Sequence, residues 1–283
     1  MPRAGRVLPR TAQRGSSRRR AGRAGRAAGT VGVVPPPAHD VNRSGLVVVR
    51  ADPELWFLLS RERRRDRASV PWDGDATLGH VVQSLGVPLT EVGALRLDGR
   101  PASPQERPVP GAELEILPVD RPQVVPGATG FLLDVGLGTL ARRLRVLGID
   151  AAYRNDAADA ELVREGLEQR RIVLTQDRGL LMRRALWAGA HVRGDRPDDQ
   201  LADVLDRFAP PLAPSTRCTA CNGELAPVAA EEVAGELRAG TRRTYDEFAR
   251  CRSCGRVYWH GAHGKGLQRI VEAARAVVAR HRG

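Results

Sequence analysis

From residue 45 onward the apolar positions of this chain switch repeatedly between two periods. Leu46-Val47-Val48-Val49 reads as a strand and Ala68–Trp72 as another, closed by the turn Asp73-Gly74-Asp75. Leu78, Val81, Val82 and Leu85 recur at helical spacing, with Thr77 placed to cap the start and Gly86 and Pro88 to stop the end. Residues 94–98 and 113–117 predict later strands, with turn residues Gly99-Arg100 between them. Beyond residue 128, strand and helix patterns alternate. Gly130–Leu133 is a short apolar strand, and Leu137, Leu140, Ala141, Leu144 and Leu147 line a helix face that ends at Gly148. Strands at 149–153, 171–175 and 190–193 follow. They are interleaved with helices starting near Asp159, spanning 180–188 and spanning 200–208. Leu267, Ile270, Val271, Ala274, Val277 and Val278 mark the buried stripe of a last helix.

These patterns divide the chain. The strands and helix of 45–119 resemble a ubiquitin-like β-grasp, an α+β unit. Sulfur carriers of that fold end in a free Gly-Gly tail, whereas this segment runs on through a linker at 120–127, which leaves a structural role or a protein partner. Repeated βα units in 128–210 predict an α/β domain with a parallel sheet and right-handed crossovers. Residues 211–283 hold all four cysteines and the last helix. Residues 1–44 lack periodicity and are expected to be disordered.

Charge changes the picture less than its total suggests. Of 283 residues, 45 are Lys or Arg and 33 are Asp or Glu, a net charge of +12. Residues 1–44 hold ten arginines and one acid, so +9 of that lies in the tail. The tail reads as an RNA-binding arm, a targeting segment, or an extension upstream of the true start. Lys265 is the single lysine, so arginine richness is partly compositional bias and each arginine carries less weight. Apolar content of 42% excludes a fully disordered chain, and no apolar run reaches the length of a membrane span.

Acids recur where the sheet pattern makes them meaningful. Asp134, Asp156, Asp177 and Asp195 each follow one of the four predicted parallel strands by one to three residues. The carboxyl ends of parallel strands share one edge, where ligand sites form. Carboxylates gathered there repel one another unless a cation such as Mg²⁺ or Mn²⁺ neutralises them, and such a cation can activate water against a phosphodiester. The competing reading is that each Asp caps the next helix. Asp159 and Glu161 are reserve ligands, while Asp198 and Asp199 start a helix. A phosphoacceptor receiver would need a lysine, and 128–210 has none.

The run Phe131-Leu-Leu-Asp134-Val-Gly-Leu-Gly138-Thr-Leu-Ala-Arg142-Arg-Leu-Arg145-Val-Leu-Gly148-Ile-Asp150 resembles the opening signature of the Mut-seven C-terminal RNase family, a branch of the PIN-like nucleases. Asn155-Asp156, Ile172-Val-Leu-Thr175-Gln-Asp177-Arg178-Gly-Leu-Leu181 and Cys251-Arg-Ser-Cys254-Gly-Arg-Val-Tyr258-Trp259 extend the resemblance over roughly residues 45–265. Bacterial members often carry a preceding ubiquitin-like domain. The resemblance implies metal-dependent RNA cleavage, with catalytic and metal-binding roles carried onto Asp134, Asp156, Asp177 and Asp195. Many relatives have Met-Leu-Gly-Lys where this chain has Gly136-Leu137-Gly138-Thr139. Arg142 is the candidate substitute for the missing lysine, and Arg178 is a second candidate RNA contact.

Cys218-x-x-Cys221 and Cys251-x-x-Cys254 are two paired-cysteine turns able to give four thiolates to a structural Zn²⁺, with Gly223 and Gly255 close behind. The long gap between them leaves room for a hairpin or short helix. Disulfides are the alternative, disfavoured in the reducing cytoplasm expected for a chain without an evident secretion signal. Arg252, Arg256, Tyr258, Trp259 and Lys265 form a candidate RNA surface around this zinc ribbon. The alternative is that Tyr258 and Trp259 simply pack it. The sequence thus predicts a cytoplasmic metal-dependent ribonuclease acting on RNA without membrane association. Its rival is a non-catalytic RNA-binding adaptor.

Overall fold

The computed structural model describes residues 45–259 and 264–281. The expectations for 1–44 lie outside these residues, as does the side chain of Lys265. No described helix is long and apolar enough to cross a membrane.

The first sheet has five strands: β1 (Gly45–Ala51), β2 (Ala68–Trp72), β3 (Val92–Leu97), β4 (Arg100–Ala102) and β5 (Glu113–Pro118). Their order is β2-β1-β5-β3-β4, with β1 parallel to β5 and the other pairs antiparallel. This is the expected β-grasp arrangement. Helix α1 (Leu78–Ser84) starts where Thr77 accepts from the His80 N–H. It buries Leu78, Val81 and Val82 against Val47, Leu95, Leu114 and Ile116. The sequence pattern missed β4 and a 3-10 segment, Pro53–Leu58. That segment is started by Asp52, which accepts from the Glu54 N–H.

The second sheet holds β6 (Gly130–Leu133), β7 (Ala151–Tyr153), β8 (Arg171–Thr175) and β9 (Gly189–His191), all parallel, in the order β7-β6-β8-β9. Side chains alternate across it. Phe131, Leu133, Ile172 and Leu174 meet α2 (Gly138–Val146), α5 (Pro197–Phe208) and α8 (Gly264–Ala279) on one face. Leu132 and Val173 meet α3 (Asp159–Glu168) and Leu180 of α4 (Arg178–Leu181) on the other. Leu140, Leu144 and Leu147 are fully buried, each burial contributing about 2 kcal/mol. Gly148 has φ 78°, and a Cβ there would lie 1.8 Å from the Ala213 carbonyl oxygen, so the helix stop is also a point of backbone contact.

Two expected elements differ. The helix expected over 180–188 is the four-residue α4, because Asp177 caps it early and the short crossover must return at once to β9. Leu267, placed on the buried stripe of the last helix, is 45% exposed, whereas Ile270, Ala274 and Val278 pack inward.

The two sheets are joined closely. Residues 120–127, read as a linker, are pinned to α5: Arg121 pairs with Asp203 and Asp206, and Gln123 accepts from Arg207 Nε. Glu91 accepts from the His191 N–H at 2.8 Å and pairs with Arg207 at 2.7 Å, both side chains of the ion pair being 1% exposed. Phe57 of the 3-10 segment packs on His191 with the rings tilted by 57°, and the Arg193 guanidinium lies over the Phe57 ring at 4.5 Å from its centre.

After α5 come β10 (Leu225–Val228), α6 (Ala230–Val233), α7 (Ala239–Thr244), β11 (Phe248–Cys251) and β12 (Val257–Trp259). The three strands form an antiparallel ribbon, and the two short helices fill the gap between the cysteine pairs.

Candidate active site and cysteine centre

Strand order reverses between β6 and β8: the chain leaves β6 for β7 on one side and then crosses to β8 on the other. In an open parallel sheet the crevice at such a reversal, at the carboxyl ends of the strands, is where ligands bind. Asp134 and Asp177 sit there. The Asp134 N–H donates to Leu174 O, extending the β6–β8 pairing by one residue. Its Oδ1 accepts from the Val135 N–H at 2.6 Å and its Oδ2 from Thr175 Oγ1 at 2.5 Å. The same Thr175 hydroxyl accepts from the Asp177 N–H at 2.8 Å. A hydroxyl has one proton, so this buried side chain, 0% exposed, gives it to Asp134 while orienting Asp177. Asp177 Oδ1 accepts from the Gly179 N–H at 2.7 Å, so this residue does cap a helix, and its second oxygen has no partner among the described residues.

The outer two acids stand apart. Asp156 and Asp195 are exposed in the loops after β7 and β9, with no side-chain partner among the described residues. Gln176 Nε2 donates to Gly194 O at 2.8 Å and so holds the Asp195 loop against β8. The reserve acids are engaged elsewhere: Asp159 pairs with Arg183, and Glu161 pairs with Arg154 while accepting from the Ala158 N–H. Asp198 pairs with Arg143 in the first turn of α5. Among the described residues no three carboxylates bring oxygens within 4.8 Å of one another. A cation at this edge would therefore rest on one or two carboxylates and keep several waters, which is the habit of Mg²⁺.

The cysteines do converge. The sulfurs of Cys218, Cys221, Cys251 and Cys254 all lie within 4.8 Å of one another. Cys218 and Cys254 are 3.7 Å apart and Cys221 and Cys251 3.4 Å, far beyond a disulfide bond near 2.05 Å. Tetrahedral Zn–S arms of about 2.3 Å put sulfurs about 3.8 Å apart, so the donor set fits such an ion. Burial pushes the Cys218 thiol up, but the Tyr258 hydroxyl at 3.0 Å and the Cys221 and Ala220 N–H groups outweigh it, bringing it down to about 6. Burial and the adjoining sulfurs push Cys221 up to about 12. Burial also raises Cys251, but hydrogen bonds from the Cys254 and Ser253 N–H groups and from the Cys221 and Cys254 thiols outweigh it and lower that thiol. Charge thus builds up in the group on Cys218 and Cys251, while Cys221 holds its proton until a cation shares the charge.

A buttress that the sequence pattern did not reveal holds this centre on the sheet. Buried Arg145 of α2 donates to Ala151 O at 2.8 Å and to the carbonyls of Thr219 and Ala220, inside the first cysteine turn, at 3.1 Å. Burial pushes its guanidinium below the usual arginine value, partly offset by the charges of Cys218 and Cys221. Asn222, at φ 69°, accepts from the Ala151 N–H and donates to Asp150. Burial raises the Asp150 carboxyl, yet hydrogen bonds from Arg171 and Asn222 and the charges of Arg171 and Arg217 hold it below the ordinary value. The faint signal was an arginine on the apolar face of a predicted helix.

The candidate RNA contacts divide. Arg142 is exposed on α2, and Arg252 and Arg256 are exposed on the ribbon. Arg178 Nη1 donates to Leu58 O at 2.7 Å, joining the two sheets. The Tyr258 hydroxyl is engaged with Cys218 and Thr219, while Trp259 is 42% exposed.

Residues 129–271 match the family model described as the Mut7-C RNAse domain, and residues 45–124 match that described as Mut7-C ubiquitin. One model thus spans both the parallel sheet and the cysteine ribbon. No curated protein and no solved structure matches the chain.

Proposed function

Because the chain belongs to the Mut7-C RNAse domain family, we propose that it is a metal-dependent ribonuclease whose cleavage site is the carboxyl edge of a PIN-like parallel sheet. The observation that carries this reading is the pairing of Asp134 and Asp177 through Thr175 at the reversal of strand order. Asp134 and Asp177 would hold a Mg²⁺ or Mn²⁺ ion, with Asp156 and Asp195 adding negative charge from the outer strands. When bound, such an ion supplies Lewis acidity and an activated water for in-line attack on phosphorus.

The chain's own part is placement. Thr175 fixes the plane of the Asp134 carboxylate by donating to Oδ2, and the Val135 N–H fixes the other oxygen. Asp177 is held by the Gly179 N–H on one oxygen, leaving the second free to act. Exposed Arg142 offers a fixed positive charge for an RNA phosphate. The four cysteines would hold Zn²⁺ with no open position, which makes that centre structural.

Cleavage of single-stranded RNA with Mn²⁺ or Mg²⁺ tests the site. Wild type should cut, and Asp134→Asn and Asp177→Asn should each lose about 100-fold or more of that activity. Equal cleavage by all three proteins would sink the assignment. The wide spacing of the acids favours one competing reading, an RNA-binding adaptor, and binding without cleavage by the wild type would select it.

A further inference from the structure

The cleavage edge has a basic neighbour in the other domain. The segment Pro53–Leu58 reaches it directly, with Leu58 O accepting from Arg178, the residue after Asp177. The chain then runs Ser60-Arg61-Glu62-Arg63-Arg64-Arg65-Asp66-Arg67, five arginines and two acids in eight residues. Ser60 is two residues beyond Leu58, so the loop begins within about 7 Å of that contact. A single arginine means little in this chain, so what matters about these five in eight residues is where the loop begins.

Three of these guanidiniums are used at one nitrogen each: Arg63 on Ser84 O, Arg64 on Leu59 O and Arg67 on Glu113. Arg61 and Arg65 are exposed and have no side-chain partner among the described residues. The ground beneath the loop is firm. The buried Glu91–Arg207 pair and the Phe57–His191 ring contact tie the β-grasp domain to the parallel sheet, and Arg193 lies over Phe57. The loop therefore starts beside the cleavage edge, at Leu58, and ends on the first sheet, where Arg67 pairs with Glu113.

We propose that residues 60–67 grip the phosphates of a single-stranded RNA whose cleaved bond lies at Asp134 and Asp177, so that the β-grasp domain serves the nuclease within its own chain. This rests on the cleavage site assigned above. Arg61 and Arg65, with no partner among the described residues, and the free nitrogens of Arg63, Arg64 and Arg67 suit a repeating phosphate backbone, since a guanidinium fork matches two phosphate oxygens. Position favours RNA over an acidic protein, because the loop adjoins the edge where the RNA would lie.

The test is binding of a single-stranded RNA oligonucleotide by the full chain carrying Asp134→Asn, which prevents cutting, across a series of salt concentrations. Each phosphate contact on a single strand contributes about 0.7 to the slope of log affinity against log salt. Adding Arg61→Gln and Arg65→Gln should therefore flatten the slope by about 1.4 and weaken low-salt binding about tenfold. The unfolding midpoint should not move, since neither side chain has a partner among the described residues. An unchanged slope and affinity would overturn the proposal and leave the loop to an acidic protein surface, while the cleavage site still stood on the wild type's activity. A wild type that neither bound nor cut RNA would overturn both.

Discussion

The hydroxyl of Thr175 sits at the end of β8 with its one proton given to Asp134 and a lone pair given to the Asp177 N–H. Replacing it by valine keeps the shape and removes both bonds. Thr175→Val should lower RNA cleavage about 10- to 100-fold, as losses of groups that orient metal-binding carboxylates do, and cost about 1 kcal/mol of stability. Thr175→Ser should recover most of the activity. Cleavage rates against Mn²⁺ concentration, with circular dichroism as the fold control, decide this, and unaltered kinetics in the valine variant would refute it. The acids themselves were legible in the sequence because each follows an apolar run. Thr175 was not, since a threonine closing Ile-Val-Leu looks like any β-branched strand residue. Arg145 was nearly hidden for the opposite reason: in an arginine-rich chain only its place on the apolar face of α2 set it apart from exposed Arg142 and half-buried Arg143, and packing put its head among carbonyls of the cysteine turn.

At the level of elements, the cysteine ribbon and the parallel sheet have different sources of stability. Strands β6 and β8 pair through residues 130–133 and 171–174, with Leu132, Leu133, Val173 and Leu174 each at most 1% exposed. The ribbon has a far smaller core, built on Val233, Leu237 and Phe248, and its four clustered sulfurs could hold a zinc ion that fixes the turns. The purified chain should therefore carry one zinc per molecule by elemental analysis. Stripping that metal should speed amide exchange in 217–224 and 248–259 while β6 and β8 stay protected. Unchanged exchange in 217–224 and 248–259 after chelation would show that the centre does not stabilise the ribbon. Helix and strand positions in this region followed from spacing, because period and turn residues are local signals. The shortness of α4 did not, because a three-residue β9 and an early Asp177 cap set the return path of the crossover.

For the whole molecule, the decisive pair is Glu91 with Arg207, one on each side of the junction between sheets and both 1% exposed. Glu91→Ala would leave a buried guanidinium without its counter-charge, although the bonds to Gln123 and Thr90 persist. Urea unfolding of the full chain should register a loss of about 3–5 kcal/mol, and exchanging both residues for Leu and Met should cost much less. Equal losses in single and double variants would mean that the charge pair is not the reason. Nothing in the sequence around Thr90-Glu91 announced this role, since partners 116 residues apart leave no local pattern. The net charge of +12 likewise misdirected attention, because +9 of it lies in residues 1–44. The arginines of 60–67 gain their proposed role from where the loop begins, at the Leu58–Arg178 contact. By itself the sequence determined most of the strands and helices, the ubiquitin-like and parallel-sheet patterns and the four-cysteine set, all of which depend on neighbours within a few turns of chain. Only the tertiary structure decided which acids are joined, that α5 and Glu91 bind the two sheets together, and where the arginines of 60–67 come to lie. Strand order, burial and charge pairing are settled between residues distant in sequence, where no periodicity can record them.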